Sequence, residues 1–240
     1  MIIEIATSDF ESTRSAVAGG ADRIELCANL TEGGTTQSYG VIKACRESFN
    51  VKIYPIIRVR GGDFLYTEEE YECMRKDAMM CKEIATDGVV VGFLNADGTI
   101  DVGRTANIVE AVYPLGVTFH RAFDRCREPF EAMEQLIEIG CERVLTSGQQ
   151  KTAPEGIELI KDLNEKGNGR IIIMPGSGVR ASNIKQLSHA SGCKEFHSSL
   201  RELTKSRMEF ITPAFAGDTE NDHYTVNSKA VNELRKALNS

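Results

Sequence analysis

Eight short runs rich in β-branched residues punctuate this 240-residue chain, and a longer stretch with helical spacing of its apolar positions follows each one. The runs are IIEIA (2–6), RIELC (23–27), KIYPIIR (52–58), GVVVG (88–92), GVTFH (116–120), RVLTS (143–147), RIIIM (170–174) and EFHSS (195–199). Strands that alternate with helices pair in parallel, because each helix carries the chain back to the start of the next strand. Eight such units in about 250 residues make a (β/α)8 TIM barrel of the α/β class. A doubly wound open sheet is the alternative. It is disfavoured because no run is followed by a G-x-G-x-x-G helix opening. The expected organisation is a single domain over 1–240, with an irregular insertion at 201–224 and a last helix at 226–238. An insertion of that length is placed to cover the barrel mouth or touch a second subunit.

The punctuation agrees with the period. Ser8 with Glu11, and Thr67 with Glu70, have capping-box spacing, in which each side chain satisfies a free backbone donor at a helix start. Pro129 and Pro154 suit first-turn positions. Gly20 and Gly140 stand where a helix must break left-handed before the next strand.

Composition removes several function classes. The net charge is −7 and no dense Lys/Arg cluster occurs, so a nucleic-acid footprint is not expected. The longest apolar runs, GVVVGFL (88–94) and RIIIMPG (170–176), fall far short of the roughly 20 residues that span a bilayer. The N-terminus MIIEIATSDF lacks the basic and apolar regions of a secretory signal, which points to the cytoplasm. Seven cysteines, with no Cys-x-x-Cys pair, make neither a disulfide framework nor a zinc ribbon; most are expected to be reduced, and small, buried and apolar by default.

Alternate residues of a barrel strand face the interior. In GVTFHRAFD (116–124) this sends Thr118 and His120 inward and Val117 and Phe119 toward the helices. The same parity turns inward Glu4 and Ala6; Arg23, Glu25 and Cys27; Tyr54, Ile56 and Arg58; and Glu195 and His197. An unpaired buried carboxylate costs several kcal/mol, so these groups pair or bind something. Arg23 and Arg143, at strand starts, can neutralise Glu4 and Glu195 at the barrel bottom, where polar pairs serve stability. Glu25, Cys27, Arg58, His120 and His197 lie toward the C-terminal strand ends, where barrel active sites sit.

The loops add anion-binding candidates. RVRGGDFLY (58–66) offers Arg58 and Arg60, TSGQQ (146–150) offers Ser147 and free backbone donors, MPGSGV (174–179) offers Gly176, Ser177 and Gly178, and HSS (197–199) offers Ser198. Loops after strands seven and eight commonly bind phosphate in this fold.

Together GGADRIELC (19–27), EGGTTQSYG (32–40), RVRGGDFLY, VTFHRAFD (117–124), RVLTSGQ (143–149), MPGSGV and EFHSS resemble the CutC copper homeostasis family over about residues 1–200. The resemblance implies a (β/α)8 barrel, a cytoplasmic location, a homodimer and a tie to copper handling. Family members often carry cysteine two residues after the strand-one glutamate, facing the cysteine of ELC and giving paired soft ligands for Cu(I). Here that position is Ala6. Only Cys27 of the pair is present, and His120 and His197 are the residues left to complete a copper site.

Two main readings follow. One is copper homeostasis by Cu(I) binding at Cys27, His120 and His197. The other is an enzyme for a small anionic metabolite, phosphorylated metabolites included. In it Arg58 and Arg60 grip an anionic or carbonyl group, Gly176, Ser177 and Gly178 hold phosphate, and His120 with Glu25 carries protons. Proton-transfer isomerisation and aldol-type cleavage both suit such groups, and no strand-end lysine offers a Schiff base. A Cys27 nucleophile and a scaffold with a fossil pocket are weaker alternatives.

Overall fold

All eight runs are strands in the computed structural model, which describes residues 1–215, 217 and 221–239. They are β1 Ile2–Thr7, β2 Arg23–Leu26, β3 Lys52–Pro55, β4 Gly88–Val91, β5 Gly116–Phe119, β6 Arg143–Thr146, β7 Ile172–Pro175 and β8 Glu195–Ser198. Helices follow as α1 Phe10–Ala18, α2 Tyr39–Ser48, α3 Glu68–Glu83, α4 Val102–Val112, α5 Pro129–Ile139, α6 Ile157–Gly167, α7 Ile184–Ser191 and α8 Ser228–Asn239. The strands form two parallel half-sheets, in the orders β3-β2-β1-β8 and β4-β5-β6-β7. This is the cyclic order of a (β/α)8 barrel. One seam is stitched where Ile57 N–H donates to Val90 O at 2.8 Å, just past the point where Pro55 ends β3. At the other seam β7 lies beside β8, where a side chain on Gly176 would touch His197.

The expected parity holds. Ile3, Ile5, Ile24, Leu26, Ile53, Val117, Phe119, Val144, Ile173 and Phe196 pack with the helices in the large outer core. Inside the ring, Ala6, Cys27, Tyr54, Ile56 and Val90 form a small separate cluster. Two strands open with glycine for a reason this makes plain: a Cβ on Gly88 would lie 2.1 Å from the Tyr54 ring, and one on Gly116 would lie 2.5 Å from its hydroxyl. Those glycines admit Tyr54 to the barrel floor.

Local signals are mostly realised, with two shifts. Thr67 and Glu70 form a complete capping box, Pro129 opens α5 and Gly140 ends it with φ +92°. The start of α1 is capped by Asp9, whose carboxylate accepts from Ser12 N–H, so the cap sits one residue later than expected and the Ser8–Glu11 box is not made; the Ser8 hydroxyl donates to Asp9 instead. Pro154 lies in turns ahead of α6 and not in its first turn. The 201–224 segment is more regular than expected at its ends, where β9 (Arg201–Thr204) and β10 (His223–Val226) pair antiparallel. Residues 216 and 218–220 of that segment lie outside the described residues. No described helix is long and apolar enough to cross a membrane.

Candidate active site

The barrel floor consumes most of the inward charges. Glu195 accepts from Arg23 Nη2 at 2.5 Å and Arg143 Nε at 2.7 Å. Arg143 also donates to Thr118 Oγ1 and to Glu142, which in turn accepts the Tyr54 hydroxyl. Both guanidinium groups stack on the Tyr54 ring, at 5.3 and 5.5 Å from its centroid. Each buried charge thus has a partner of opposite sign, the condition for keeping it in a low-dielectric interior.

Glu4 joins this floor to the layer above. Parallel register sets it beside Arg23 on β2 and His197 on β8. One carboxylate oxygen accepts from Arg23 Nε at 2.5 Å and the other meets His197 Nδ1 at 2.8 Å. Burial pushes Glu4 up, but Arg23 and His197 outweigh it and bring its pKa down to about 2. Glu4 is therefore an anion that takes the Nδ1–H of His197 and turns Nε2 toward Glu25 Oε2, 3.8 Å away. That is ion-pair distance, longer than a hydrogen bond. Ala6 is the register partner of Glu25, and with no atom beyond Cβ it leaves the carboxylate open to the cavity above. Burial raises Glu25 to about 7, with the charge of His197 pulling it down and that of Glu4 pushing it up. His197 moves up as well: burial lowers it, and Glu25 and Glu4 more than compensate. The pair holds a proton that can move near neutral pH.

Above lies a cavity of about 920 Å³ whose wall includes Glu25, Arg58, His120, Ser177, Gly178, His197 and Ser198. Five arginines (58, 121, 125, 180 and 201) line it, against Glu25, Glu32 and Asp63. In a chain of net charge −7, this is a cationic mouth. Arg125 and Arg201 make no ion pair among the described residues, and Arg201 stacks on Tyr224. It comes from β9, so the segment after β8 does build part of the mouth.

Several expected roles are reassigned by contacts that sequence could not show. Arg58 does not grip with a free fork: its Nη atoms donate to the carbonyl oxygens of Glu32, Gly34 and Gly62, locking two loops together. Its Nε–H is buried without a well-formed bond, near the Tyr66 hydroxyl. Arg60 lies outside the cavity wall, paired with Glu70 at 2.6 Å and Asp63 at 3.0 Å. Ser147 is not a free donor either. Asp124 accepts from Thr146 Oγ1, from the Ser147 N–H and hydroxyl, and from Gln149 N–H, so an internal carboxylate already fills the anion nest of TSGQQ. Gly176 N–H is taken by Thr146 O, while Ser177 (φ +70°) and Gly178 (φ +75°) line the mouth. Ser198 donates to Val179 O and accepts from Arg180.

His120 behaves unlike a neutral-pH proton carrier. Its Nδ1 accepts from Ala122 N–H at 3.1 Å, and burial, reinforced by Arg58, drops its pKa to about 3. It is a neutral imidazole that carries its hydrogen on Nε2.

The expected copper ligands are not brought together. Cys27 is fully buried in the inner apolar cluster, its Sγ 3.5 Å from Thr7 O. Burial, with Glu25 adding, raises its pKa well above the ordinary thiol value. Among the described residues the donor atoms that do converge, within 4.8 Å of one another, come from Glu4, Glu25 and His197. Two carboxylates and an imidazole are hard and borderline ligands, ill suited to Cu(I), and the Glu4 oxygens are already committed to Arg23 and His197. The donor set does not fit Cu(I). Glu4 is the site residue that the sequence reading left on the floor; its inward parity was visible, its register with His197 was not.

Residues 1–202 match the family model described as the CutC family. A CutC family protein of Parabacteroides distasonis is 54% identical over 210 residues, covering 87% of this chain and 86% of that one. A CutC family protein of Chromobacterium violaceum is 45% identical over 241 residues, covering 99% of this chain and 98% of its own. Among solved structures, a Streptococcus agalactiae chain described as a candidate copper homeostasis protein, CutC, superposes with a TM-score of 0.79 at 32% identity, covering 82% of this chain and 97% of that one.

Proposed function

This chain belongs to the CutC family, and from that membership together with the mouth geometry we propose that it is an acid–base enzyme acting on a small anionic metabolite. The observation that carries the reading is the Glu25–His197 pair, poised to exchange a proton near neutral pH at the base of an arginine-lined cavity. A general base works best when its pKa lies near the operating pH, and carboxylates raised that far cluster at functional sites.

The roles divide by height in the barrel. Arg125 and Arg201 at the rim attract and hold the anionic group of the substrate. Glu25, with only Ala6 beside it, takes a proton from the substrate. His197 Nε2, facing Glu25, can take that proton on, and Glu4 fixes the ring through Nδ1. Copper handling has weaker support here, since Ala6 replaces one expected thiol and the other, on Cys27, is buried and protonated.

Deuterium uptake tests this. A panel of phosphorylated ketoses and 2-oxo acids is incubated with the protein in D2O and followed by proton NMR. At least one member is expected to exchange a hydrogen next to its carbonyl, with the rate falling about 10²–10⁴-fold in Glu25→Gln. Equal exchange by the wild type and Glu25→Gln would overturn the assignment.

A further inference from the structure

Two residues of the cavity wall, Arg58 and His120, each bury a side-chain nitrogen with no hydrogen-bond partner among the described residues. His120 is 4% exposed, its Nδ1 is anchored to the Ala122 N–H, and its Nε2 is buried with no hydrogen bond. A buried donor left without a partner is uncommon in folded proteins and marks a place where a bound group can supply the missing acceptor. The surroundings hold the ring in place. A Cβ on Gly92 would lie 2.3 Å from both Cε1 and Nδ1, so only glycine there admits the imidazole. Phe64 packs against the imidazole at 5.0 Å between ring centroids, and the same Phe64 ring carries the Arg58 guanidinium at 5.0 Å.

We infer that His120 binds the carbonyl oxygen of the substrate through Nε2–H, so that the substrate is a carbonyl compound carrying a separate anionic group. The inference rests on the acid–base reading above and names its substrate class. Burial and the nearby Arg58 charge keep the imidazole neutral, and a neutral N–H can donate to an oxygen that gains charge without losing its proton to it. The balance is complete with groups present. The Glu25 carboxylate accepts the hydrogen on the carbon beside the carbonyl; the C–H electron pair becomes the new C–C π bond; the carbonyl π pair moves onto oxygen, where Nε2–H stabilises it. Return of a proton from Glu25 to the same carbon, with the electron pairs moving back, completes exchange. Rim arginines hold the distant anionic group throughout.

The test uses phosphoglycolate, whose carboxylate mimics the charged oxygen next to a phosphate, with inorganic phosphate as a probe for the rim alone. Calorimetry on the intact chain is expected to show phosphoglycolate weakened at least tenfold by His120→Ala and by Gly92→Ala, and largely restored in His120→Gln, which keeps a donor. Inorganic phosphate should move less than twofold. In the wild type labelled with nitrogen-15 at histidine, the His120 Nε2–H resonance should shift on phosphoglycolate binding, a readout that needs no folded variant. If phosphoglycolate binds but neither the resonance nor the variants respond, His120 has no such role and the acid–base reading stands. If neither probe binds the wild type, the cavity does not take anions and both proposals fall.

Discussion

The floor and the mouth of this barrel are built from the same kinds of residue and behave in opposite ways. On the floor, Arg23, Arg143, Glu195 and Glu142 satisfy one another so fully that Glu195 alone receives two guanidinium groups. At the mouth, Glu25 lacks a true hydrogen bond to its neighbour, His120 Nε2 has no partner, and Arg125 and Arg201 have no counter-ion among the described residues. The distance between the two layers is one step of the strand pleat, from Glu4 to Ala6 on β1 and from Arg23 to Glu25 on β2. Closed charge networks specify and stabilise a fold; open ones remain available to a ligand. Glu4 is the hinge between them, since it gives one oxygen to each layer.

The largest effect should come from opening the floor. Arg143→Ala leaves Glu195 with Arg23 alone and Glu142 with the Tyr54 hydroxyl alone, and removing one member of a buried charge network costs about 3–5 kcal/mol. Urea denaturation should show that loss, while Arg125→Ala at the rim changes stability by less than about 0.5 kcal/mol. Comparable losses at the two sites would erase the distinction between layers.

How far the sequence reached follows the same division. Strand positions, their order and the inward set were legible because a period of two is local: Val117 and Phe119 outward, Thr118 and His120 inward needed only the string GVTFH. Pairing was not legible. Glu4 and His197 meet across 193 residues, and only register decides that Glu4 faces His197 as well as Arg23. Loop capture was equally hidden. Arg58 reads as a free cation until three carbonyl oxygens of two loops are seen to surround it, and TSGQQ reads as an anion nest until Asp124, the last residue of GVTFHRAFD, is found inside it.

A smaller effect, of opposite sign to that on the floor, should come from closing the mouth. Glu25 has a folded pKa of about 7 against an ordinary 4.5. A carboxyl raised on folding stabilises as the neutral acid: its contribution is full below pH 4.5 and lost as pH rises through about 7. Glu25→Gln stays neutral throughout. Its stability relative to the wild type should therefore grow between pH 5 and 8.5, by an amount on the order of 1 kcal/mol once the lost attraction to His197 is set against it. Denaturation midpoints at those two pH values measure it. A pH-independent difference would mean that Glu25 is as settled as Glu195, and the mouth would be a second floor.

The smallest effect sharpens the boundary. Cys27 follows Glu25 by two residues and so shares its inward parity and its height near the mouth, yet it belongs with the closed layer: it is 0% exposed and packs with Ala6, Tyr54, Ile56 and Val90. Its protonated thiol fills space. Cys27→Ala then removes only one buried sulfur, costing about 1 kcal/mol, with no change in phosphoglycolate or phosphate affinity. Anaerobic Cu(I) titration against a competing chelator should give the same affinity for the variant as for the wild type, because a thiol held this far above its usual pKa offers little of the thiolate that binds copper. Tighter Cu(I) binding by the wild type would move Cys27 from the packing to the ligands, and with it the line between the inert and the reactive parts of this barrel.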